Sequence, residues 1–253
     1  MKDIEKDSTH ELKRKLSACQ KSYNLLLKSS AQEQAKSKRF TKQILQQQEE
    51  EKKEISRELH DEIAQLLTGV NFHLSVLSIE AYGAEKSLHN KIKKAQHLII
   101  DSVNAIYLFT KELRPVILDD LGLIPALRSH VKDFIKHTKI PVVLDLPRAT
   151  LDINEFSQII IFRIIQESLN NIRKHAEATQ VEVSLKKNSK SLHLMVKNNG
   201  KSFNIDRKKC PGMGLTGITE RVKLLNGTLA ITSTPKAGTK IKISMPLPEG
   251  PNF

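Results

Sequence analysis

A histidine beside a carboxylate, with an amide side chain one helical turn further on, could do chemistry in this sequence. These residues are His60, Asp61 and Gln65, in the segment 55–67, ISRELHDEIAQLL. Residues four apart on a helix face the same way, so Asp61 and Gln65 can act on one ligand while His60 projects beside them. An imidazole oriented by a neighbouring carboxylate suits a nucleophile. A solvated, charged helix face is the alternative interpretation.

A second group of polar residues lies in the segment 166–176, QESLNNIRKHA. Glu167 and Asn171 are four apart, and Lys174 and His175 follow one turn later. The carboxylate and the amide at this spacing offer oxygen ligands to a hydrated Mg²⁺. Lys174 and His175 can reach phosphate oxygens. A solvent-facing charged surface is again the alternative, although apolar residues lie close by.

Glycines follow in the segment 211–231, PGMGLTGITERVKLLNGTLAI. Gly212, Gly214 and Gly217 precede a short helix that we predict at about 216–226. Glycines at such a place let backbone N–H groups and a helix N-terminus approach a phosphate. Taken alone, the pattern also fits a merely flexible loop.

The first of these groups must be positioned by long helices, because apolar residues around it repeat with helical spacing. We predict helix 1 over about 41–79 and a second helix up to Leu113, with a turn at 81–84 and a stop at Pro115. A lone hairpin buries only part of each apolar stripe, so a dimeric four-helix bundle is expected. The stripes comprise Ile55, Leu59, Ile63, Leu66, Leu67, Val70, Leu74 and Leu77, then Leu88, Ile92, Ala95, Ile99, Val103, Ile106, Phe109 and Leu113.

The other two groups fall in a half of the chain where helices and strands alternate. Strands interleaved with helices after an all-helical half predict a separate α/β sandwich. Its long helix has Asp152 as the first candidate for the N-cap and Asn154 as the second. The predicted elements are a helix at 123–137, a strand at 142–147, a helix of about 24 residues, a hairpin at 181–200 and a last hairpin at 229–234 and 239–245.

Four segments follow from these patterns. Residues 1–40 contain neither Pro nor Gly. Their apolar residues recur with alternating spacings of four and three, which is typical of a weak coiled coil or signalling helix, although a plain solvated helix fits equally. Residues 41–114 form the helical hairpin, 115–122 a linker and 123–253 the α/β sandwich.

Composition limits the classes of protein further. The 253 residues are 39% apolar and 27% charged, and no apolar run approaches the roughly 20 residues that span a bilayer. The N-terminus lacks the apolar region of a signal peptide, and the distant Cys19 and Cys210 are interpreted as free thiols of a reducing cytoplasm. The net charge of +13 raises nucleic acid as a partner, but no nucleic-acid-binding motif is visible, so we predict none.

Together these segments make the chain resemble the cytoplasmic half of bacterial sensor histidine kinases, in the subfamily of nitrate sensors and lipid-desaturase sensors. RELHDEIAQLL resembles the phosphoacceptor box and LRPVILDDLGLIPAL the linker. QESLNNIRKHA resembles the nucleotide-binding N box, and GMGLTGITERV with GTKIKISMPL the G box. The resemblance covers residues of about 45–247 in the family's order. It implies a helical hairpin that dimerises as a four-helix bundle, followed by an α/β two-layer sandwich of the Bergerat type.

The resemblance also implies roles for individual residues. His60 would accept the γ-phosphoryl group of ATP, Asp61 would fix its tautomer, and Gln65 would position a water that hydrolyses the phosphorylated partner. That partner would be the receiver domain of a response regulator. The residues implied to bind ATP and Mg²⁺ are Glu167, Asn171, Lys174, His175, Asn198, Gly200, Gly212, Gly214, Leu215 and Thr239, with Asn171 on the metal.

One motif departs from the family's pattern. Where the family usually has D-x-G-x-G, with the Asp accepting a hydrogen bond from the adenine amine, this chain has Asn198-Asn199-Gly200-Lys201-Ser202. An amide oxygen is still an acceptor, so we expect weakened rather than abolished adenine binding.

Four functions remain open at this point. They are an ATP-dependent homodimeric histidine kinase, a phosphatase-dominant relative with weak kinase activity, a non-catalytic dimeric scaffold, and an ATPase of the gyrase and chaperone kind in which Glu167 activates water. The intact segment around His60 favours the first over the last. The input signal has three possible sources: a separate sensor protein, residues 1–40, or a longer chain of which this is a piece.

Overall fold

The computed structural model describes residues 2–80, 86–113, 116–148, 151–202, 213–235 and 237–247. The predicted turn at 81–84, Pro115, Cys210 and Gly212 lie outside these residues, as does the side chain of Cys19. The chain divides into two compact units, Met1–Gln48 and Glu49–Phe253. None of the described helices has an apolar segment long enough to cross a membrane.

The first unit is helical throughout its described residues and belongs to helix α1 (Lys2–Glu58). Several of its large apolar side chains lie in water: Tyr23, Leu26 and Phe40 are between 60% and 67% exposed. Such a row of exposed apolar residues is what a helix presents when its partner is a second helix. The coiled coil stays a prediction.

The second unit begins with the helical hairpin. From α1 the backbone passes through a π-helical turn at Leu59–Ile63 into α2 (Ala64–Glu80), and α3 (Lys86–Leu113) packs against α2. Gln96 Nε2 donates to Ser75 Oγ at 3.0 Å across the hairpin. No residue of α2 is buried, so a single hairpin leaves most of its predicted apolar stripe in water. The exposed apolar residues include Leu66, Val70, Phe72, Leu77, Leu98, Tyr107 and Phe109.

The rest of the second unit is a two-layer α/β sandwich, as the sequence predicts. Its sheet has the order β1-β2-β3-β5-β4, in which β1 and β2 run parallel and the other neighbours antiparallel. The strands are β1 (Val142–Asp145), β2 (Val181–Lys187), β3 (Ser191–Asn198), β4 (Thr228–Thr234) and β5 (Gly238–Pro246). The helices are α4 (Val116–Leu121), α5 (Leu123–Thr138), α6 (Glu155–Asn171) with a π-helical turn at Ile172–Ala176, and α7 (Met213–Leu224).

Helix α6 lies at the centre of the core. Burial alternates along β2 and β3, because one face of the sheet is covered and the other meets solvent. Every residue of α6 from 159 to 165 is buried, so this helix is covered on all sides over two turns. Packed around it are Leu127 and Val131 of α5, Ile218 and Val222 of α7, and Val181, Val183, Leu194, Val196 and Ile243 of the sheet.

Two local predictions are wrong. Asn154, and not the first candidate Asp152, caps α6, because the Asn154 side-chain oxygen accepts from the Ser157 backbone N–H at 2.8 Å. Helix α7 begins at Met213, so Gly214 and Gly217 lie inside its first turns and do not precede it.

An ion pair is buried where α6 meets the helical hairpin. Glu49 of α1 is 5% exposed and Arg163 of α6 is 7% exposed. Arg163 donates three hydrogen bonds of 2.6–3.1 Å to the Glu49 carboxylate, one of 2.5 Å to the Leu113 carbonyl at the end of α3, and one of 2.8 Å to Gln166 Oε1. Burial raises the pKa of Glu49, but hydrogen bonds and charge from Arg163, with Lys52, outweigh it and hold that pKa below its ordinary range.

We predict that Glu49→Gln lowers the free energy of unfolding of the second unit by about 3 kcal/mol, because Arg163 then keeps a buried charge without its counter-ion. The measurement is urea unfolding, with the exposed neighbour variant Glu50→Gln as the control. A carboxylate whose pKa is lower in the folded state than in the unfolded state stabilises the fold at pH values above its unfolded pKa of about 4.3. This stabilisation is lost as the pH falls through the pKa of the folded state. The free energy of unfolding of Glu49→Gln should therefore lack the decrease at acid pH that the Glu49 carboxylate causes in the parent. Equal stabilities of the two variants at pH 7 would contradict the prediction.

Candidate functional site

A cavity of about 300 Å³ lies between the end of α6, the first turn of α7 and the strands β3 and β5. Side chains from all four elements line it, so residues that are far apart in the sequence meet there. Ser168, Lys201, Ser202 and apolar residues complete the wall. Six of the predicted nucleotide-binding residues line this cavity: Asn171, His175, Asn198, Gly214, Leu215 and Thr239.

The structure separates two predicted residues from this group. Glu167 and Lys174 line another cleft, of about 520 Å³, formed by α3, α5 and α6. Gly212 lies outside the described residues. Gly200 does not line the cavity, but a Cβ there would lie 2.0 Å from the Ala176 carbonyl oxygen. Only glycine therefore lets the chain after β3 pass the end of the α6 π-helical turn.

Glu167 nevertheless comes close to Asn171, because both side chains contact the same glycine. A Cβ placed on Gly214 would lie 2.3 Å from Glu167 Oε1, 3.0 Å from Asn171 Nδ2 and 3.2 Å from Asn171 Oδ1. The carboxylate of Glu167 and the amide oxygen of Asn171 are hard donors of the kind that suits Mg²⁺, which keeps several waters and takes few protein ligands. No group of three or more His, Cys, Asp or Glu able to hold a metal occurs among the described residues. Glu167 and Asn171 could therefore hold a magnesium ion and neutralise charge beside it.

At another part of the wall, Asn198 is a buried amide with an unused donor. Its side chain is 3% exposed, and its Nδ2 has no hydrogen-bond partner. It faces Thr239 across the β3–β5 ladder, and the Thr239 hydroxyl lies 2.9 Å from Ser233 Oγ. A buried donor without a partner costs about 1–3 kcal/mol. A ligand atom that accepts from this amide would recover that cost.

The predicted phosphoacceptor segment lies on the π-helical turn of the hairpin. The Ala64 N–H donates to the Leu59 carbonyl five residues earlier, which widens the helix around residue 60. Asp61 and Gln65 are exposed, whereas the side chain of His60 lies outside the described ones. The apolar repeat predicts only a regular α-helix here, so the sequence did not reveal this turn.

A π-helical turn also follows Asn171. It places His175, but not Lys174, on the cavity side of the helix. The regular spacing used in the sequence interpretation placed Lys174 and His175 together, and no residue type in the segment marks the change. Both groups of predicted polar residues therefore lie on or beside a widened helical turn, which is a feature often found at functional sites.

Comparison with known proteins matches two parts of the chain to families. Residues 51–118 match the family described as Histidine kinase, and residues 157–249 match the Histidine kinase-, DNA gyrase B-, and HSP90-like ATPase family. The first match contains Asp61 and Gln65, and the second contains every residue that lines the cavity.

Three curated proteins are similar over most of the chain. The signal transduction histidine-protein kinase/phosphatase DegS of Brevibacillus brevis is 37% identical over 211 residues, 82% of this chain and 54% of that protein. The oxygen sensor histidine kinase NreB of Staphylococcus carnosus is 33% identical over 89% of this chain and 65% of that protein. DegS of Bacillus subtilis is 35% identical over 82% and 56%. The chain spans between 54% and 65% of the length of these relatives.

We predict that Gly214→Ala weakens binding of Mg²⁺-ATP at least tenfold and leaves the unfolding midpoint nearly unchanged. The three heavy atoms nearest to the added methyl group belong to the ends of the Glu167 and Asn171 side chains, so we expect these side chains to turn away and the core to stay intact. The matched control in the same helix is Gly217→Ala, whose methyl group would meet the end of Arg221 at 2.9 Å. Calorimetric titration at limiting Mg²⁺ measures the effect. Equal nucleotide affinity in both variants would contradict the assignment.

Proposed function

Because the chain belongs to the sensor histidine kinases, we propose that it uses ATP to phosphorylate His60 and passes the phosphoryl group to an aspartate of a response regulator. The observation that carries this proposal is the cavity at the end of α6. There Asn171, His175 and Asn198 meet Gly214 within the segment that matches the ATPase family, in a chain whose residues 51–118 match the Histidine kinase family.

We assign each part of the chain a task. Residues 41–114 would dimerise and carry the phosphoryl group, 115–122 would link, and 123–253 would bind ATP, while 1–40 would transmit a signal. The exposed apolar residues of α2 and α3 support a homodimer, since a second hairpin would cover them. We place the protein in the cytoplasm, where ATP and a receiver domain are available. The signal would come from residues 1–40, a separate sensor protein or a longer chain.

The phosphoryl transfer needs an oriented imidazole. A ring nitrogen of His60 attacks the γ-phosphorus of ATP, an N–P bond forms, and the P–O bond to ADP breaks with its electron pair going to the departing oxygen. Asp61 would accept the N–H of the other ring nitrogen, fix the tautomer and make the attacking nitrogen more basic. The receiver's aspartate then attacks the same phosphorus and frees the imidazole. Positioning and charge neutralisation supply most of the rate in such transfers.

The cavity residues would bind and orient the nucleotide. Asn171 and Glu167 would hold Mg²⁺, which neutralises charge on the phosphate oxygens when bound. Gly214 would admit the ligand beside them, while Asn198 and Thr239 would contact the base and Leu215 would pack on it. His175 lines the cavity and can reach a phosphate oxygen, whereas Lys174 lines the other cleft and would have to turn to do so.

A second candidate function is favoured by Asn198. A hydrogen bond to a charged acceptor is worth about 1.5–3 kcal/mol and a neutral one about 0.5–1.5, so the amide should bind adenine less tightly than a carboxylate. This supports a protein whose dephosphorylation of the regulator exceeds its kinase activity, because Asp61 and Gln65 are both present. Loss of nucleotide binding altogether would leave a dimeric scaffold.

Incubation of the purified protein with γ-labelled ATP tests the proposal, and we predict that His60→Gln abolishes acid-labile labelling while the dimer persists. The reason is that the attacking nitrogen is removed without a change in the apolar stripe. His73→Gln, at an exposed position of α2, should label like the parent. Label that persists in His60→Gln would refute the assignment. Free phosphate alone would indicate an ATPase, and neither label nor nucleotide binding would indicate the scaffold.

The dephosphorylation step has its own prediction. Gln65→Ala should leave labelling of His60 intact and slow dephosphorylation of the regulator by about 10²-fold, the usual cost of removing one positioned hydrogen-bonding group. The measurement is decay of the phosphorylated regulator with variant and parent, and the neighbouring exposed variant Thr68→Ala serves as the control. Equal decay with Gln65→Ala and the parent would show that Gln65 does not position the water.

A further inference from the structure

Among the described residues that line the cavity, neutral polar groups lie beside the ladder position of Asn198. The amide of Asn198 is buried, its cross-strand partner Thr239 is 9% exposed, and the hydroxyl of Ser202 lines the same cavity. Lys201, which also lines the cavity, pairs through its ammonium group with Glu177. No carboxylate is among the described residues that line this cavity.

A neutral amide and a carboxylate recognise a purine base through different hydrogen bonds. A carboxylate only accepts hydrogen bonds, so it selects a base with an amine at position 6 and repels a carbonyl there. An amide has one acceptor atom, its oxygen, and one donor atom, its nitrogen. Its two atoms match the amine and ring nitrogen of adenine, and after a half-turn about χ2 they match the carbonyl and ring N–H of a 6-oxopurine.

The neighbouring groups allow both arrangements. The hydroxyls of Thr239 and Ser202 can each donate or accept, so neither fixes the polarity of the base edge. The Nδ2 of Asn198 is buried without a partner, and therefore needs an acceptor from a ligand. The 6-oxygen of a purine is such an acceptor, as is the ring nitrogen of adenine.

We propose that Asn198 lets this cavity accept nucleoside triphosphates of 6-oxopurines as well as ATP. The proposal rests on the function proposed above, because it assumes that the cavity binds a nucleotide. Where a site pairs every polar atom of its substrate, it rejects analogues that leave one unpaired by large factors. A cavity that can form hydrogen bonds to the polar atoms of both adenine and a 6-oxopurine cannot discriminate between them in this way.

Inosine triphosphate is the suitable probe, because it replaces the 6-amine of ATP by an oxygen and leaves the sugar and phosphates unchanged. Binding of ATP and inosine triphosphate, each with Mg²⁺, is measured by calorimetry for the whole chain and for Asn198→Asp. The matched control is Asn199→Asp, which adds the same charge one residue away. Asn199 Oδ1 accepts from the Thr179 and Gln180 backbone N–H groups, and a carboxylate can do the same.

We expect the parent to bind ATP no more than about tenfold more tightly than inosine triphosphate. Asn198→Asp should tighten the binding of ATP and weaken the binding of inosine triphosphate, and so raise the ratio of the two affinities at least tenfold. Asn199→Asp should leave this ratio near that of the parent. A parent ratio above tenfold, an unchanged ratio in Asn198→Asp, or an equal rise in Asn199→Asp would overturn the proposal. Each of those results leaves the kinase assignment standing. If the parent binds neither nucleotide, the proposed function itself fails.

Discussion

The interaction on which the rest of this structure depends is the buried ion pair of Glu49 and Arg163. Helix α6 is covered on all sides over residues 159–165, and Arg163 is the charged residue within that stretch. A guanidinium in such surroundings must be met by an opposite charge and by acceptors, because an unpaired buried charge is very costly. Glu49, the Leu113 carbonyl and Gln166 meet it. The hydrogen bonds and the ion pair of Arg163 thereby join α1, α3 and α6.

This joint lies on the two helices that carry the proposed chemistry. Arg163 precedes Asn171 by eight residues of α6, or about 12 Å along the axis, and Glu49 precedes residue 60 by eleven, or about 16 Å. Since helices are stiff over such distances, the ion pair fixes where the segment of α1 after Glu49 and the segment of α6 after Arg163 begin relative to each other. Each helix then ends its run at a π-helical turn, at Leu59–Ile63 and Ile172–Ala176. The wider turn changes which residues share one side of the helix without moving the buried part of the helix.

Features with a local cause could be predicted from the sequence, and features with a distant cause could not. Apolar repeats located the hairpin, the strands and α6, because burial on one face imposes a period. The ion pair joins residues 114 apart, and no local pattern indicates that Glu49 among several glutamates is the buried one. The π-helical turns were missed because the apolar stripe tolerates one extra residue. Lys174 was grouped with His175 for the same reason.

Asn198 shows how stability and recognition meet at one position. At 3% exposure a carboxylate would have to be stripped of water, and it would need hydrogen-bond donors in the unliganded protein. The amide leaves a single neutral donor unpaired, which costs less than a buried charge without a partner. We therefore expect asparagine at this position to destabilise the fold less than aspartate would. An amide also lacks the fixed negative charge that would distinguish an amine from a carbonyl, so this smaller destabilisation and the proposed loss of base discrimination would have one physical origin.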